Sequence, residues 1–254
     1  MPKVKSDHAS IYYDVYGSGP VLAFAHGAGG NMLSWWQQVP YFVKKFTVIL
    51  FDQRGFGRST CEDDFLHPKY FVEDLRAILL AEKIERVTLI CQSMGGFTGL
   101  PFTLAYPEYV QALILCGTTG GLRVPKEART RPVDRKKMME RGPGRAVMAE
   151  DFPDREPELA FLFSMITKLN DMSMMQRLRS GMSESAVQPE ALNGYNTPTL
   201  LIHGTKDALF APEAIRAVTE IIPGATSIEM PGVGHSTYFE DAEGFNKIVE
   251  EFIG

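Results

Sequence analysis

Ser93 stands in the segment C-Q-S-M-G-G, residues 91–96, directly after the apolar run 87–90 and before a stretch with helical character. A serine among small residues at a strand-to-helix turn is the pattern that exposes a hydroxyl group as a nucleophile. Gly95 relieves crowding in this tight turn, and Cys91 stands where the usual G-x-S-x-G pattern has its first glycine. We therefore predict that Ser93 attacks an electrophile such as a carbonyl carbon.

Two later segments supply the groups that activate a serine. Asp207 ends H-G-T-K-D, which follows the apolar run 199–202, and His235 lies in G-V-G-H-S before the last helical stretch. A histidine can accept the serine proton, and a carboxylate can orient that histidine. The chain order of serine, aspartate and histidine differs from the other two familiar orders of this triad. We predict Ser93, Asp207 and His235 as the catalytic residues.

An oxyanion hole is predicted at the glycine-rich turn H-G-A-G-G, residues 26–30, which follows the apolar run 21–25. Acyl transfer needs two backbone N–H groups directed at the developing negative charge. Glycine accepts the strained dihedral angles that turn such groups inward. We assign the two donors to the amides of Ala28 and Met94, the second of which follows the predicted nucleophile.

Together with D-Q-R-G-F-G-R-S at 52–59, these motifs resemble the α/β-hydrolase superfamily from about residue 10 to the C-terminus. The resemblance implies an α/β-hydrolase fold, with a mostly parallel central sheet, flanking helices and a small helical cap inserted after the sixth strand. It also gives the three predicted catalytic residues the roles of nucleophile, orienting acid and base. Some members carry the acid after the preceding strand, but residues 116–120 contain no carboxylate, which favours Asp207.

The alternation of strands and helices along the chain predicts parallel strands with helical crossovers. We expect strands near 10–16, 21–25, 46–51, 87–91, 111–116, 199–203 and 226–230, and helices near 32–45, 69–82, 95–106, 212–222 and 239–252. Residues 121–191 do not fit the alternation. We interpret them as the helical cap, over an α/β core made of residues 1–120 and 192–254.

The predicted cap is where we expect substrate selectivity to lie. It holds eight of the chain's twelve methionines, which adapt to irregular ligand surfaces but also serve ordinary helix packing. They are Met138, Met139, Met148, Met165, Met172, Met174, Met175 and Met182. A soft apolar underside favours medium acyl or aromatic groups, and residues 142–144, Gly-Pro-Gly, are a candidate flexible joint.

Residues 121–150 are strongly basic, with nine Lys or Arg against four Asp or Glu, a local balance of +5. A solvated helix face explains such a segment, and electrostatic steering of an anionic substrate is the alternative hypothesis. The formal net charge of the whole chain is −5, which gives no support to nucleic-acid binding.

The sequence predicts no cofactor and no metal, because it contains neither a G-x-G-x-x-G opening a helix after the first strand nor a P-loop lysine. It has no run of eighteen apolar residues and no hydrophobic signal core at its N-terminus. We therefore expect a cytoplasmic protein with no membrane partner. Three cysteines are expected to be reduced thiols, and the choice between monomer and homodimer stays open.

Other polar residues near strand ends are interpreted as structural. We expect a buried ion pair between Asp52 and Arg54, and we expect His26 and His203, which each precede a glycine, to support the backbone.

The motifs favour a serine hydrolase that cleaves a carboxylic ester or lactone of a small to medium apolar or aromatic substrate through an acyl-enzyme. The resemblance leaves open a carbon–carbon bond hydrolase of the aromatic-degradation type, a cofactor-free perhydrolase and a non-catalytic ligand-binding receptor. The string S-M-G-G does not choose among the hydrolytic alternatives.

Overall fold

The computed structural model describes residues 2–124, 140, 147–171 and 173–254. Within these residues, nine strands form one sheet. They are β1 (Lys3–Ser6), β2 (Ala9–Gly17), β3 (Val21–Ala25), β4 (Thr47–Phe51), β5 (Thr60–Cys61), β6 (Val87–Gln92), β7 (Val110–Cys116), β8 (Thr199–Gly204) and β9 (Thr226–Met230). Their order in the sheet is β1-β2-β4-β3-β6-β7-β8-β9, and β5 pairs with β2.

The sheet is antiparallel at one edge and parallel elsewhere. Strand β2 pairs antiparallel with β1, β4 and β5, and all pairings from β4 to β9 are parallel. Strands β6 and β8 are buried at every position, as expected for a sheet covered on both faces. Because the carboxyl ends of parallel strands meet at one edge, the residues that follow β3, β6, β7 and β8 lie at the same edge.

Helices cover both faces of this sheet. They are α1 (Val39–Phe42), α2 (Phe71–Ala81), α3 (Gly96–Ala105), α4 (Phe152–Arg155), α5 (Pro157–Thr167), α6 (Ser173–Glu184), α7 (Pro212–Ile221), α8 (Thr237–Glu240) and α9 (Ala242–Ile253). Alternate strand residues point to opposite faces, where α1, α8 and α9 complete one apolar core and α2, α3 and α7 complete the other. In the described part of the chain, no helix is long and apolar enough to span a bilayer.

The mostly parallel α/β fold with flanking helices is confirmed, and all seven expected strands are present. Strands β1 and β5 were not predicted. The single helix expected over 32–45 is wrong, because the structure has a 3₁₀-helix at Met32–Trp35 followed by the short α1. Pro40 explains the break, since it lacks the N–H group that a continuous helix would need at that position.

We refer to residues 121–191, between β7 and β8, as the insertion. Its two ends are joined, since the Arg123 amide donates to the Val187 carbonyl at 2.8 Å and the Val187 amide donates to the Gly121 carbonyl at 2.9 Å. Its described helices are α4, α5 and α6. Most of the basic segment, the joint at 142–144 and three of the methionines (Met138, Met139 and Met172) lie outside the described residues.

Candidate active site

Ser93 opens a one-turn 3₁₀-helix at the end of β6. Its φ of +50° lies in the left-handed region, which residues with a Cβ atom rarely adopt. The turn is held tightly against β3, because a Cβ atom at Gly95 would overlap the Ala25 carbonyl group. Ser93 is partly exposed, whereas the adjacent Gln92 and Met94 are buried. The turn therefore presents the Ser93 side chain at the carboxyl edge of the sheet, and strain of this kind concentrates at functional sites.

Asp207 and His235 form a buried pair, with 2.9 Å between His235 Nδ1 and Asp207 Oδ2. The other carboxylate oxygen, Oδ1, accepts hydrogen bonds from the amides of Leu209 at 2.7 Å and Phe210 at 3.0 Å. The Phe210 ring also stacks on the imidazole, with a centroid distance of 5.7 Å and an interplanar angle of 14°. Since an ionised carboxylate only accepts, Nδ1 carries the proton in this pair and Nε2 is left to act as a base.

The structure places Ser93 and the Asp207–His235 pair at ends of neighbouring elements. Strand β6, which leads to Ser93, pairs with β7, and Gly117 directly after β7 packs on the imidazole. A Cβ atom at Gly117 would lie 3.0 Å from His235 Nδ1. Between the described residues, no hydrogen bond joins the Ser93 hydroxyl to His235. Catalytic hydrogen bonds often tighten only when substrate is bound.

The predicted oxyanion loop packs directly on the nucleophile turn. A Cβ atom at Gly27 would overlap the Gln92 side chain and lie 3.0 Å from Ser93 Cβ, so this contact requires glycine. Within the described residues, the amides of Ala28 and Met94 donate no hydrogen bond. Since an oxyanion needs two such donors, these N–H groups stay the candidate oxyanion hole.

The base of this loop is anchored by the core. His26 Nδ1 lies 2.8 Å from the Gly27 carbonyl oxygen, and His26 Nε2 accepts from the Gln53 amide at 3.0 Å. Burial lowers the pKa of His26, which favours the neutral ring that these two bonds require. Asp52 Oδ1 accepts from the Met32 amide at 2.7 Å, just past the loop. The structural role expected for His26 is confirmed.

The ion pair expected between Asp52 and Arg54 is wrong. Asp52 uses its second oxygen for the Arg58 amide at 2.8 Å, so both of its oxygens bind backbone N–H groups. Arg54 instead forms a buried bidentate pair with Asp74 of α2, at 2.7 and 2.6 Å. His203 bonds to a side chain, with 3.1 Å between its Nε2 and Glu229 Oε2, and not to the backbone.

The alternative nucleophile, Cys91, is enclosed in the junction between β6 and α3. Its Sγ would lie 2.5 Å from a Cβ atom added at Gly99, so the thiol points at the helix. Burial raises the pKa of Cys91 well above its usual range, which disfavours the reactive thiolate.

An apolar cluster joins the oxyanion residues to the insertion. Its buried members are Phe56, Leu66, Phe71, Met94 and Leu178, with Ala28, Cys61, Phe97, Met174 and Met182 packed around them. Leu178, Met174 and Met182 come from α6. The methionines of the insertion were expected to serve either helix packing or a soft apolar underside, and Met174 and Met182 pack against this cluster. Leu178 and Phe210 were not predicted, because single apolar residues carry no local signal in a sequence.

The described residues contain no cluster of three or more His, Cys, Asp or Glu side chains that could hold a metal ion. A surface cavity of about 510 Å³ lies along β1, β2 and residues 60–62, and none of the three predicted catalytic residues lines it. The candidate site is therefore the carboxyl edge of the sheet, where Ser93, His235 and the oxyanion loop lie.

A sequence model of the alpha/beta hydrolase fold matches residues 20–242, and the chain belongs to this family. A proposed carbamate hydrolase, RutD, from Azorhizobium caulinodans is 26% identical, and the alignment covers 100% of this chain and 98% of that protein. The 2-hydroxy-6-oxo-6-(2'-aminophenyl)hexa-2,4-dienoic acid hydrolase of Metapseudomonas resinovorans is 25% identical, with 93% and 85% covered. The 3-oxoadipate enol-lactonase 2 of Acinetobacter baylyi is 25% identical, with 95% and 92% covered.

Eight solved structures of similar fold share 20–24% sequence identity with this protein. Each superposes on 99% of the chain, with TM-scores from 0.79 to 0.84. At this level of identity the likeness shows the fold. The family model matches most of the chain, and the relatives that align with most of its length are named as hydrolases or as a lactonase. The chain is therefore an enzyme of the hydrolase class.

Proposed function

We propose that this protein is a serine hydrolase that cleaves a carboxylic ester or lactone of a small to medium apolar or aromatic substrate. The observation that carries the proposal is Ser93 in a left-handed turn beside the unpartnered amides of Ala28 and Met94. The buried Asp207–His235 pair adds the base. Similarity to proteins named as an enol-lactonase and a carbamate hydrolase supports attack on a carbonyl group.

In the proposed mechanism, Ser93 Oγ attacks the carbonyl carbon while His235 Nε2 takes the hydroxyl proton. Asp207 keeps the imidazole in the required tautomer and stabilises its charged form. The amides of Ala28 and Met94 bind the oxyanion of the tetrahedral intermediate. Collapse breaks the bond to the alcohol oxygen, which receives the proton from His235, and leaves an acyl-enzyme. Water then gives a proton to His235 Nε2 and attacks the acyl carbon, and the same two amides bind the oxyanion. Collapse breaks the bond to Ser93 Oγ, which recovers its proton from His235, and releases the carboxylic acid.

We also propose that the insertion, residues 121–191, is a cap over a core made of 1–120 and 192–254. The bonds between Gly121, Arg123 and Val187 support these limits, because they close the insertion on itself. Apolar contacts between α6 and the oxyanion residues support an apolar acyl group. The natural substrate is then a small molecule, which we expect the enzyme to meet in the cytoplasm.

Replacement of the serine tests the function. With p-nitrophenyl esters from acetate to octanoate, Ser93→Ala is expected to lower kcat by at least about 10⁴-fold, because the remaining amides and base give only weak catalysis. A fluorophosphonate probe should add one label to the wild type at Ser93 and none to Ser93→Ala, as read by intact mass and peptide mapping. Ser227→Ala, at an exposed position of β9, is the control and should keep both activity and label. Undiminished turnover by Ser93→Ala would contradict the proposal.

A carbon–carbon hydrolase is the second candidate, because the Metapseudomonas resinovorans relative is named as a hydrolase of a 2-hydroxy-6-oxo dienoic acid. Both candidate reactions would take place at Ser93, but they break different bonds in the substrate. A comparison of kcat/KM for a vinylogous diketone of this type with that for p-nitrophenyl butyrate separates them. A higher value for the diketone would replace the ester and lactone proposal. No observation favours the perhydrolase or the receptor.

A further inference from the structure

Asn170 joins the insertion to two loops of the core. It lies just after α5, and its Nδ2 donates to the Gly29 carbonyl in the oxyanion loop at 2.7 Å. Its Oδ1 accepts from the Gly57 amide at 2.9 Å. Only 9% of Asn170 is exposed. Both ends of a buried amide are therefore bonded, which fixes the side chain between the two loops.

A second asparagine, on the core side, donates a hydrogen bond to the insertion. Asn31, at the end of the oxyanion loop, donates from Nδ2 to the Ile166 carbonyl of α5 at 3.1 Å. Its Oδ1 accepts from the Leu33 amide at 3.0 Å and caps the following 3₁₀-helix. The C-terminal end of α5 and the turn after it thus hold the oxyanion loop at two points, two residues apart.

The tip of the oxyanion loop needs such support, because the bonds of His26 hold only the base of the loop. Three of its residues are glycines, and Gly29 has a φ of +82°. The Gly30 amide closes a turn onto the Gly27 carbonyl at 3.1 Å, with Ala28 and Gly29 at the corner. Gly29 has no Cβ atom, so the peptide plane between Gly29 and Gly30 rotates at little steric cost. An external bond to the Gly29 carbonyl removes that freedom.

We propose that Asn170 is a positioning residue for the oxyanion hole. It holds the Gly29 carbonyl toward the insertion. This fixes the corner of the turn, and the turn in turn keeps the Ala28 amide, two peptide planes earlier, directed at the carbonyl oxygen of a substrate on Ser93. The inference rests on the proposed serine hydrolase function. It means that the insertion, besides contacting the substrate, sets the geometry of one of the two oxyanion donors.

The first test is Asn170→Ala in the full chain, with p-nitrophenyl butyrate as substrate. Loss of one oxyanion donor typically lowers rates by about 10²–10³-fold, so partial misplacement is expected to lower kcat by about 10- to 100-fold. KM should change less than about threefold, because the oxyanion bond forms mainly in the transition state. The matched control is Lys168→Ala, an exposed residue of the same turn, which should behave as the wild type.

Two isosteric variants separate positioning from a general loss of structure. Asn170→Asp keeps the acceptor for the Gly57 amide but has no donor for the Gly29 carbonyl when ionised, and it regains an O–H donor when protonated. Its kcat relative to the wild type should therefore rise as the pH is lowered from 8 to 5. Asn31→Asp keeps the cap on the Leu33 amide and loses only the donor to Ile166, so a smaller fall in kcat is expected. These variants also serve if Asn170→Ala does not fold.

Hydrogen–deuterium exchange gives a readout that does not depend on catalysis. Exchange of the peptide covering 27–33 should rise in Asn170→Ala, while exchange in 87–91 of β6 should not. If the wild type is active and labelled at Ser93 but Asn170→Ala keeps its kcat, the positioning role is wrong and the proposed function stands. If the wild type itself shows neither activity nor label, the proposed function fails. Exchange then decides whether Asn170 holds the loop, and unchanged exchange overturns that role as well.

Discussion

Asp207 combines two tasks in one carboxylate. One oxygen meets His235 Nδ1 at 2.9 Å, and the other is fixed by the amides of Leu209 and Phe210. The side chain therefore cannot turn without breaking backbone bonds, and the imidazole is held between it and the stacked Phe210 ring. The backbone amides thus fix the Asp207 side chain, and this fixed side chain orients the proposed base.

Asp207→Asn is expected to lower kcat by about 10³–10⁴-fold with the fold intact. The asparagine oxygen can keep the bonds from Leu209 and Phe210, which turns its NH₂ group toward His235 Nδ1. The imidazole must then carry its proton on Nε2, where it cannot accept the Ser93 proton. Steady-state kinetics measure the fall in kcat, and the melting temperature shows whether the fold is intact. The control is Asp151→Asn, at an exposed carboxylate bound to Lys206, and a kcat for Asp207→Asn within tenfold of the wild type would refute the role.

The residues of the site differ in how far the sequence reveals them. Ser93, Asp207 and His235 stand in short motifs at strand ends, so local spacing predicts them. Asn170 carries no such signal, because its partners Gly29 and Gly57 lie 141 and 113 residues away. Arg54 was assigned to the wrong carboxylate for the same reason, since its partner in α2 is selected by packing.

At the scale of elements, the parallel strands were predictable because their buried runs of apolar residues are continuous. Strand β5 has only two residues, and β1 pairs only at the sheet edge, so neither gives a strong pattern. The insertion was expected to be helical, but its sequence does not fit the alternation of strands and helices, and neither α5 of 11 residues nor α6 of 12 was predicted individually. Their order and limits therefore had to come from the structure.

Glu240, at the end of α8, links the insertion to the loop that carries His235. Its Oε2 accepts from the Ala149 amide at 3.0 Å and from the Gly234 amide at 3.1 Å, while Oε1 is buried with no partner among the described residues. Burial raises the pKa of Glu240 from 4.5 to about 7, although these amides and His235 act in the opposite direction. The folded protein thus holds a proton that the unfolded chain releases between these two values.

The expected result is a stabilisation that is complete below pH 4.5 and is lost as the pH rises through about 7. Glu240→Gln stays neutral, so the difference in unfolding free energy between pH 5 and pH 8 should be smaller than in the wild type by about 1–3 kcal/mol. Urea unfolding at both pH values measures this difference. Glu243→Gln, at an exposed residue paired with Lys247, is the control. Parallel pH dependences of Glu240→Gln and the wild type would show that Glu240 titrates normally.

At the scale of the whole molecule, the sheet and the insertion divide the site between them. The sheet edge carries the three proposed catalytic residues, Ser93, Asp207 and His235, and both proposed oxyanion amides. Besides the apolar cluster, the insertion contacts the same region through Asn170 on Gly29, the Ile166 carbonyl on Asn31, Ala149 on Glu240, and the Val147 carbonyl, which accepts from Ser236 Oγ at 2.9 Å. The proposed chemistry therefore lies on the sheet edge, and the proposed substrate selection lies on the insertion packed against it.

Leu178 of α6 offers a test of whether the insertion shapes the acyl pocket. It is fully buried and belongs to the cluster that contains Met94 and Phe56. Leu178→Ala should cost about 2–5 kcal/mol of stability through the cavity it leaves. The same cavity should admit one more methylene of an acyl chain, and burial of a methylene contributes about 0.8 kcal/mol, or about fourfold in affinity.

The expected outcome for Leu178→Ala is therefore a rise of about four- to tenfold in the ratio of kcat/KM for p-nitrophenyl octanoate to that for the butyrate. The measurement is made below the melting temperature of the variant, so that unfolding does not enter the ratio. Leu169→Ala, at a leucine of the insertion that is 60% exposed, is the matched control and should leave the ratio unchanged. A stable Leu178→Ala variant with the wild-type ratio would mean that this cluster packs the insertion onto the core without forming the acyl pocket.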